Sequence, residues 1–387
     1  MTCRPLHTAA ITAVALSALL GATVSSAGSA TAAESTPRSW ESAALDLPAA
    51  HKITRGKGVT VAVLDSGIEQ NHPALRGKVD KIGPDFYDQD GLKPGDKGYG
   101  SHGTAMVSDV LKVAPEARII TARVLDDREH DEKPEQQEDV RSPLSQGVDW
   151  AVKNGADVIS MSLSGGRFNE FDEFDVAAMA RATQKGVVLL AGSGNSAKEF
   201  NDGNFPAGYA NVISVAATDQ NGERAEFSTV RTHNTIAAPG VAIISADKNT
   251  NGFRPIQGTS PATALASGVA ALVMAKNPDL TPAQLREILI RTADHPKGGH
   301  NPLVGAGQIN AAAAVRAASS PKNIDTSAQA YKGKLTTFGK PSGTSKFSHP
   351  PINQGYLTIG LGTAGAGVLL IAGGVLLALR KRRQPGF

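Results

Sequence analysis

The chain has 387 residues, 41% of them hydrophobic and 19% charged, with a formal net charge of +3. That balance is ordinary for a globular protein, and the small basic excess gives no electrostatic basis for binding nucleic acid. The single cysteine, Cys3, lies in a segment expected to be removed, so the mature protein is expected to fold without a disulfide.

Residues 1–33 carry Arg4 and His7, then an apolar stretch over 8–24, then small residues ending in Ala30-Thr31-Ala32-Ala33. The order basic, apolar, small predicts a secretory signal peptide cleaved after Ala32 or Ala33. Residues 34–55 read as a short polar-to-amphipathic lead-in. From 56 to 318, short apolar runs alternate with helical patterns. The runs 59–64, 119–124, 158–161, 187–191, 212–216 and 235–238 suit strands buried on both faces. Stretches 103–112, 142–154, 172–185, 261–276 and 281–292 read as helices. This alternation predicts an α/β fold, a doubly wound and mainly parallel sheet with helices on both faces. Ligand sites in such sheets lie at the carboxyl ends of strands.

One stretch breaks the pattern. Residues 126–139 (DDREHDEKPEQQED) are highly charged and read as a solvated loop, with a partner-docking loop as the alternative. Residues 319–354 are rich in Ser, Thr, Lys, Gly and Pro, the composition of a flexible stalk. Residues 355–379 hold no charge and exceed the about 20 residues that cross a bilayer core. Arg380, Lys381, Arg382 and Arg383 follow directly, which predicts a single-pass helix with a cytoplasmic tail and the bulk of the chain outside.

Three residues with nucleophile, base and acid chemistry fall where strands end or helices begin. Asp65 ends the first run in VAVLDSGIEQNHPAL, His102 sits in YGSHGTAMVSDV, and Ser260 sits in QGTSPATALASGVAALVMA. Taken singly, the aspartate is a turn former, the histidine a structural residue and the serine a helix cap. A helix start also favours negative charge developing beside it. A fourth segment, VVLLAGSGN, ends a buried strand with a small-residue turn and the amide of Asn195.

Together these motifs resemble those of the subtilisin-like serine proteases. The likeness runs through Asp65-Ser66-Gly67 with His72-Pro73, then Ser101-His102-Gly103-Thr104, then Gly258-Thr259-Ser260. The chain order Asp, His, Ser is that of subtilisin, unlike chymotrypsin or the α/β-hydrolases. The resemblance covers about residues 50–315 and implies a catalytic triad of Asp65, His102 and Ser260. It implies Asn195 as an oxyanion donor beside the Ser260 N–H, and Pro261, which lacks an N–H, comes one residue too late to remove that donor. Residues 160–166 (SMSLSGG) resemble the family's substrate-pairing strand, which makes Ser162, Leu163 and Ser164 substrate-binding, with Ser164 where glycine is more usual. Gly192, Ser193 and Gly194 are the matching wall of small residues.

The signal peptide, short lead-in, charged loop, stalk and terminal helix together look like the mycosin branch, the membrane-anchored subtilases associated with type VII secretion. The expectation is a serine endopeptidase acting through an acyl-enzyme at the cell membrane, on peptide or protein substrates. Type VII components are the implied partners, and no nucleic acid or cofactor is implied. The alternative is a structural component that stabilises a secretion complex while catalysis is dispensable. Some features depart from the pattern. Ala264 stands where the family usually has proline, and Pro261 where a larger side chain is common. The lead-in is too short for an independently folding propeptide, and no cysteines match the disulfides of mycobacterial mycosins. The stretch 102–115 is shorter than in many subtilisins, where a calcium-binding loop interrupts the helix, so no metal is predicted.

Overall fold

In β1 (Thr60–Asp65) every residue is buried, and successive side chains point to opposite faces. Val61 and Val63 join one hydrophobic cluster while Ala62 and Leu64 join a second on the other face. A strand apolar on both faces belongs inside a parallel sheet covered on both sides. The computed structural model describes residues 40–87, 90–126, 141–164, 171–202, 205–321 and 354–382, with side chains in the last segment as far as 376. The signal peptide, most of the charged loop, Gly165 with Gly166, and most of the stalk lie outside the described residues.

Strands β2 (Val79–Asp85), β3 (Arg118–Arg123), β4 (Val158–Met161), β5 (Val188–Gly192), β6 (Val212–Thr218) and β7 (Asn234–Pro239) complete a parallel sheet ordered β2-β3-β1-β4-β5-β6-β7. The chain starts at β1, builds outward to β2 and β3 on one side, then crosses to β4 and continues the other way. β1 is thus the point where strand order reverses, and Asp65 ends it.

One face carries α3 (Ser101–Val113), α6 (Thr259–Lys276) and α8 (Ala311–Ala318), with α7 (Pro282–Arg291) behind them. The other carries α4 (Pro143–Lys153) and α5 (Glu173–Gln184). α6 is apolar on all sides and buried almost throughout, the pattern of a central helix. Its interior holds Ala264 rather than proline, so its hydrogen-bond ladder runs on without the break proline imposes. Gly268 lets it approach α3: a Cβ there would lie 2.6 Å from the Val113 Cβ.

The lead-in forms α1 (Trp40–Ala44) and α2 (Leu47–His51), and Leu45, Leu47 and Ala50 enter the same core as α3 and α6. The Trp40 indole donates to the Val241 carbonyl at 2.9 Å, and buried Glu41 accepts from Lys112 at 2.6 Å. Lys112 also meets Asp109 at 3.2 Å, and Ser245 donates to the same carboxylate at 2.7 Å. Burial pushes Asp109 up to about 6. A hairpin of β8 (Ile243–Asp247) and β9 (Gly252–Ile256) precedes the Ser260 motif. α9 (Gln354–Arg382) contains a 23-residue span, Gln354–Leu376, whose most apolar window has a mean hydropathy of 1.9, and none of the span is buried against the rest of the chain.

Candidate active site

Asp65, His102, Asn195 and Ser260 all sit where carboxyl ends of central strands meet helix starts. Asp65 is fully buried at the end of β1. His102, in the first turn of α3, is 30% exposed, and its Nδ1 lies 2.8 Å from Asp65 Oδ1. A carboxylate can only accept, so the neutral ring carries its proton on Nδ1 and presents Nε2 to the cleft as the basic atom. Asp65 Oδ1 also accepts the Ser66 N–H at 2.7 Å, while Oδ2 is buried with no partner.

Glycine makes this pairing possible. A Cβ on Gly103 would fall 2.0 Å from the Gly67 carbonyl oxygen, so α3 approaches the aspartate loop as closely as backbone allows. Ser66 Oγ accepts the Gly103 N–H at 3.1 Å and pins the same contact. At Gly67, with φ +90°, a Cβ would lie 2.4 Å from the Tyr99 ring, which packs against the loop.

Tyr99 is in turn held by Arg123, the buried last residue of β3 and the register neighbour of Asp65. The guanidinium lies 5.4 and 5.3 Å from the Tyr87 and Tyr99 ring centres, bonds Asp85 and the Tyr87 carbonyl at 2.9 and 3.0 Å, and pairs with Asp90. Hydrogen bonding to Arg123 holds the Asp90 carboxyl below its ordinary range, against burial, which acts the other way. Sequence reading did not single out Arg123. It lies inside the apolar run 119–124, one residue before Val124, so no closing charge marks it as one marks Asp65.

Ser260 is the second residue of α6, so its N–H has no acceptor within the helix and faces outward. Its hydroxyl donates to the Ser162 carbonyl at 3.1 Å, and the Ser162 hydroxyl donates to the Ser260 carbonyl at 3.0 Å. This reciprocal pair ties the segment after β4, with half-buried Leu163 and exposed Ser164, to the start of α6.

Asn195 follows β5. Its Oδ1 accepts the Thr259 N–H at 2.9 Å and the Thr259 hydroxyl at 3.1 Å. A backbone N–H cannot accept, so the oxygen end faces Thr259 and the NH2 end is left for the cleft. Gly192 gives Thr259 room: a Cβ there would meet its Oγ1 at 2.9 Å. The Gly194 N–H donates to the same Oγ1 at 3.2 Å. Ser193 is buried and its hydroxyl faces Ser228 at 3.5 Å, so its side chain belongs to the interior and the small-residue wall is backbone at that position. Thr259 lay within the quoted motif, but its clamp on a residue 64 positions away is visible only in the fold.

The subtilase family model matches residues 56–314. Subtilisin BL of Lederbergia lenta is 37% identical over 295 residues, covering 73% of this chain and 100% of the relative. Thermitase of Thermoactinomyces vulgaris is 33% identical over 279 residues, covering 70% of this chain and 94% of the relative. Among solved structures, MycP1 from the ESX-1 type VII secretion system matches with a TM-score of 0.60 at 28% identity, covering 72% of this chain and 86% of that one. The MycP3 protease of the type VII (ESX-3) system matches at 0.59 and 29%, covering 72% and 88%. The chain belongs to the subtilase family and is a subtilisin-like serine endopeptidase.

Proposed function

We propose that this subtilase is a membrane-anchored endopeptidase that cleaves through an acyl-enzyme on Ser260, outside the cell, in the service of type VII secretion. The observation that carries the chemistry is the Asp65–His102 bond set on the same sheet edge as Ser260 and the clamped Asn195 amide.

In this reading the Ser260 O–H turns from the Ser162 carbonyl to His102 Nε2, which takes its proton as Oγ attacks the scissile carbonyl. Asp65 keeps the ring in its Nδ1–H form and stabilises the imidazolium, while the Ser66 N–H on the same Oδ1 fixes the carboxylate's orientation. The oxyanion sits between the Ser260 N–H at the α6 start and the Asn195 NH2. His102 then protonates the leaving amine, and water enters by the reverse route to release the acyl group. Ser162, Leu163 and Ser164 offer backbone to an extended substrate, opposite the wall at Gly192, Ser193 and Gly194.

The membrane role rests on α9. Its 23 apolar residues span about 35 Å as a helix, enough for a hydrocarbon core of roughly 30 Å. Arg380 to Arg383 favour the cytoplasmic side for the tail. The likeness to MycP1 and MycP3 supports the secretion setting.

Four strains test the proposal: the full chain, a chain ending at residue 353, Ser260→Ala, and a deletion of the whole chain. The full chain is expected in the membrane fraction and the truncated chain in the medium, both hydrolysing a small peptide. Ser260→Ala is expected to stay in the membrane with peptide cleavage reduced roughly a thousandfold or more and type VII secretion impaired. A truncated chain that stays in the membrane contradicts the anchor. Full secretion by Ser260→Ala, with secretion lost on deletion of the whole chain, makes catalysis dispensable and the role structural.

A further inference from the structure

A cavity of about 150 Å³ opens beside Val212, which starts β6, and Asn234, which starts β7. It lies at the amino edge of the parallel sheet, whereas Asp65 and Gly192 end their strands at the carboxyl edge. None of Asp65, His102, Asn195 and Ser260 lines this hollow, which is a separate feature. Three basic side chains line it, Arg286 from α7 with His233 and His300 from loops, and no acidic residue does.

The positive charge there is poorly compensated. Arg286 is half-buried, and its hydrogen bonds go to neutral acceptors at long range, the Ala210 carbonyl at 3.4 Å and Thr235 Oγ1 at 3.3 Å. Burial lowers its pKa, and the one carboxylate opposing that, Glu287, acts through space without forming an ion pair. Arg231, two residues before His233, has a buried Nε with no partner, and only Asp202 opposes its desolvation. Burial and the Arg231 charge together push His233 down to about 4, so its ring is neutral at pH 7, and its buried Nε2 also has no partner. His300 Nε2 is engaged by the Asn234 carbonyl at 2.9 Å.

A guanidinium does not shed its proton at physiological pH, and holding one half-buried on long hydrogen bonds to neutral groups leaves its charge poorly compensated. An oxyanion removes that cost and matches the planar fork of arginine with charge-assisted hydrogen bonds. The volume is below the roughly 300–1,000 Å³ of pockets for drug-sized ligands, which leaves no room for a peptide or a nucleotide. We propose that this cavity binds a small tetrahedral oxyanion, phosphate or sulfate, with Arg286 as its principal ligand and Arg231 supplying the surrounding positive field.

The test is the ³¹P line width of inorganic phosphate titrated with the detergent-solubilised full chain, at ionic strength held constant with sodium chloride. Saturable broadening is expected, displaced by sulfate and not by added chloride. Thr232→Glu sets a carboxylate at the exposed rim of the cavity and leaves the core untouched, so it reads out the site even if Arg286→Met fails to fold. Each variant is expected to weaken phosphate binding roughly tenfold to a hundredfold, the size of a lost or opposed charge-assisted contact. Small-peptide hydrolysis by Thr232→Glu is expected to match the parent. Broadening that does not saturate, that chloride displaces equally, or that persists unchanged in Thr232→Glu would overturn the site and leave Arg286 as a tie between α7 and the strand starts.

Discussion

Asn195 has a donor end and an acceptor end, and Thr259 decides which of them the cleft sees. Both tethers come from Thr259, one from its N–H and one from its hydroxyl. Thr259→Val keeps the shape and the N–H but removes the hydroxyl, along with the acceptor for Gly194. The amide gains freedom to turn away, so kcat is expected to fall by about tenfold with KM nearly unchanged. Asn195→Ala removes the donor outright and is expected to cost roughly a hundredfold or more in kcat. Steady-state kinetics with a peptide substrate check both. A rise in KM alone, or a large drop in melting temperature at unchanged kcat, would place Asn195 in the fold rather than in the chemistry. The triad candidates and Asn195 were legible because each closes an apolar run or opens a helix in a distinctive local string. Thr259 and Arg123 were not, because what they hold lies far away in sequence.

At the scale of elements, the longer helices α3 to α7 were legible as helical patterns, and three of those stretches begin on a capping residue. Ser142, Asp172 and Thr281, read as the first residues of helical stretches, are the N-caps of α4, α5 and α7, each accepting a backbone N–H three residues on. The buried strands stood out as apolar runs, with boundaries off by one or two residues. β2 did not, because it is a mostly exposed edge strand carrying Asp80, Lys81 and Pro84, devices that blunt an edge and erase its apolar signature. The β8–β9 hairpin and α1, α2 and α8 are too short, or too rich in alanine, to carry a clear period. A cap also gives a pH test. Asp175 near the start of α5 accepts the Ser142 hydroxyl across the α4–α5 contact, and burial raises its pKa from 3.8 to about 6. A carboxyl with a raised native pKa binds its proton more tightly when folded. Its contribution is therefore fully present below pH 3.8 and lost as pH rises through about 6. Asp175→Asn keeps a hydrogen-bonding side chain without the charge. Its melting temperature relative to the parent is expected to rise between pH 4 and pH 7, and a difference that stays flat would show that Asp175 is not the group responsible.

Over the whole molecule, two pieces of physics meet in one chain. A parallel sheet covered on both faces brings Asp65, His102, Asn195 and Ser260 to one edge, although they are spread over nearly 200 residues. A terminal apolar helix, with no buried residue along its described span and Tyr356 at its start 5.9 Å from the Phe200 ring, is a candidate membrane span followed in sequence by arginine and lysine. The first was legible as strand–helix alternation and motif order, the second as an uncharged run with a basic flank. The charged segment 126–139 gave no structural outcome, since nearly all of it lies outside the described residues. Everything proposed for the chemistry depends on Ser260 being the nucleophile. The most direct measurement is treatment of the detergent-solubilised full chain with a fluorophosphonate, followed by peptide mapping in a mass spectrometer. The account predicts one adduct, on Ser260, absent in Ser260→Ala and formed far more slowly in His102→Ala. An adduct on a different serine, or none in a sample whose thermal transition shows it folded, would contradict it.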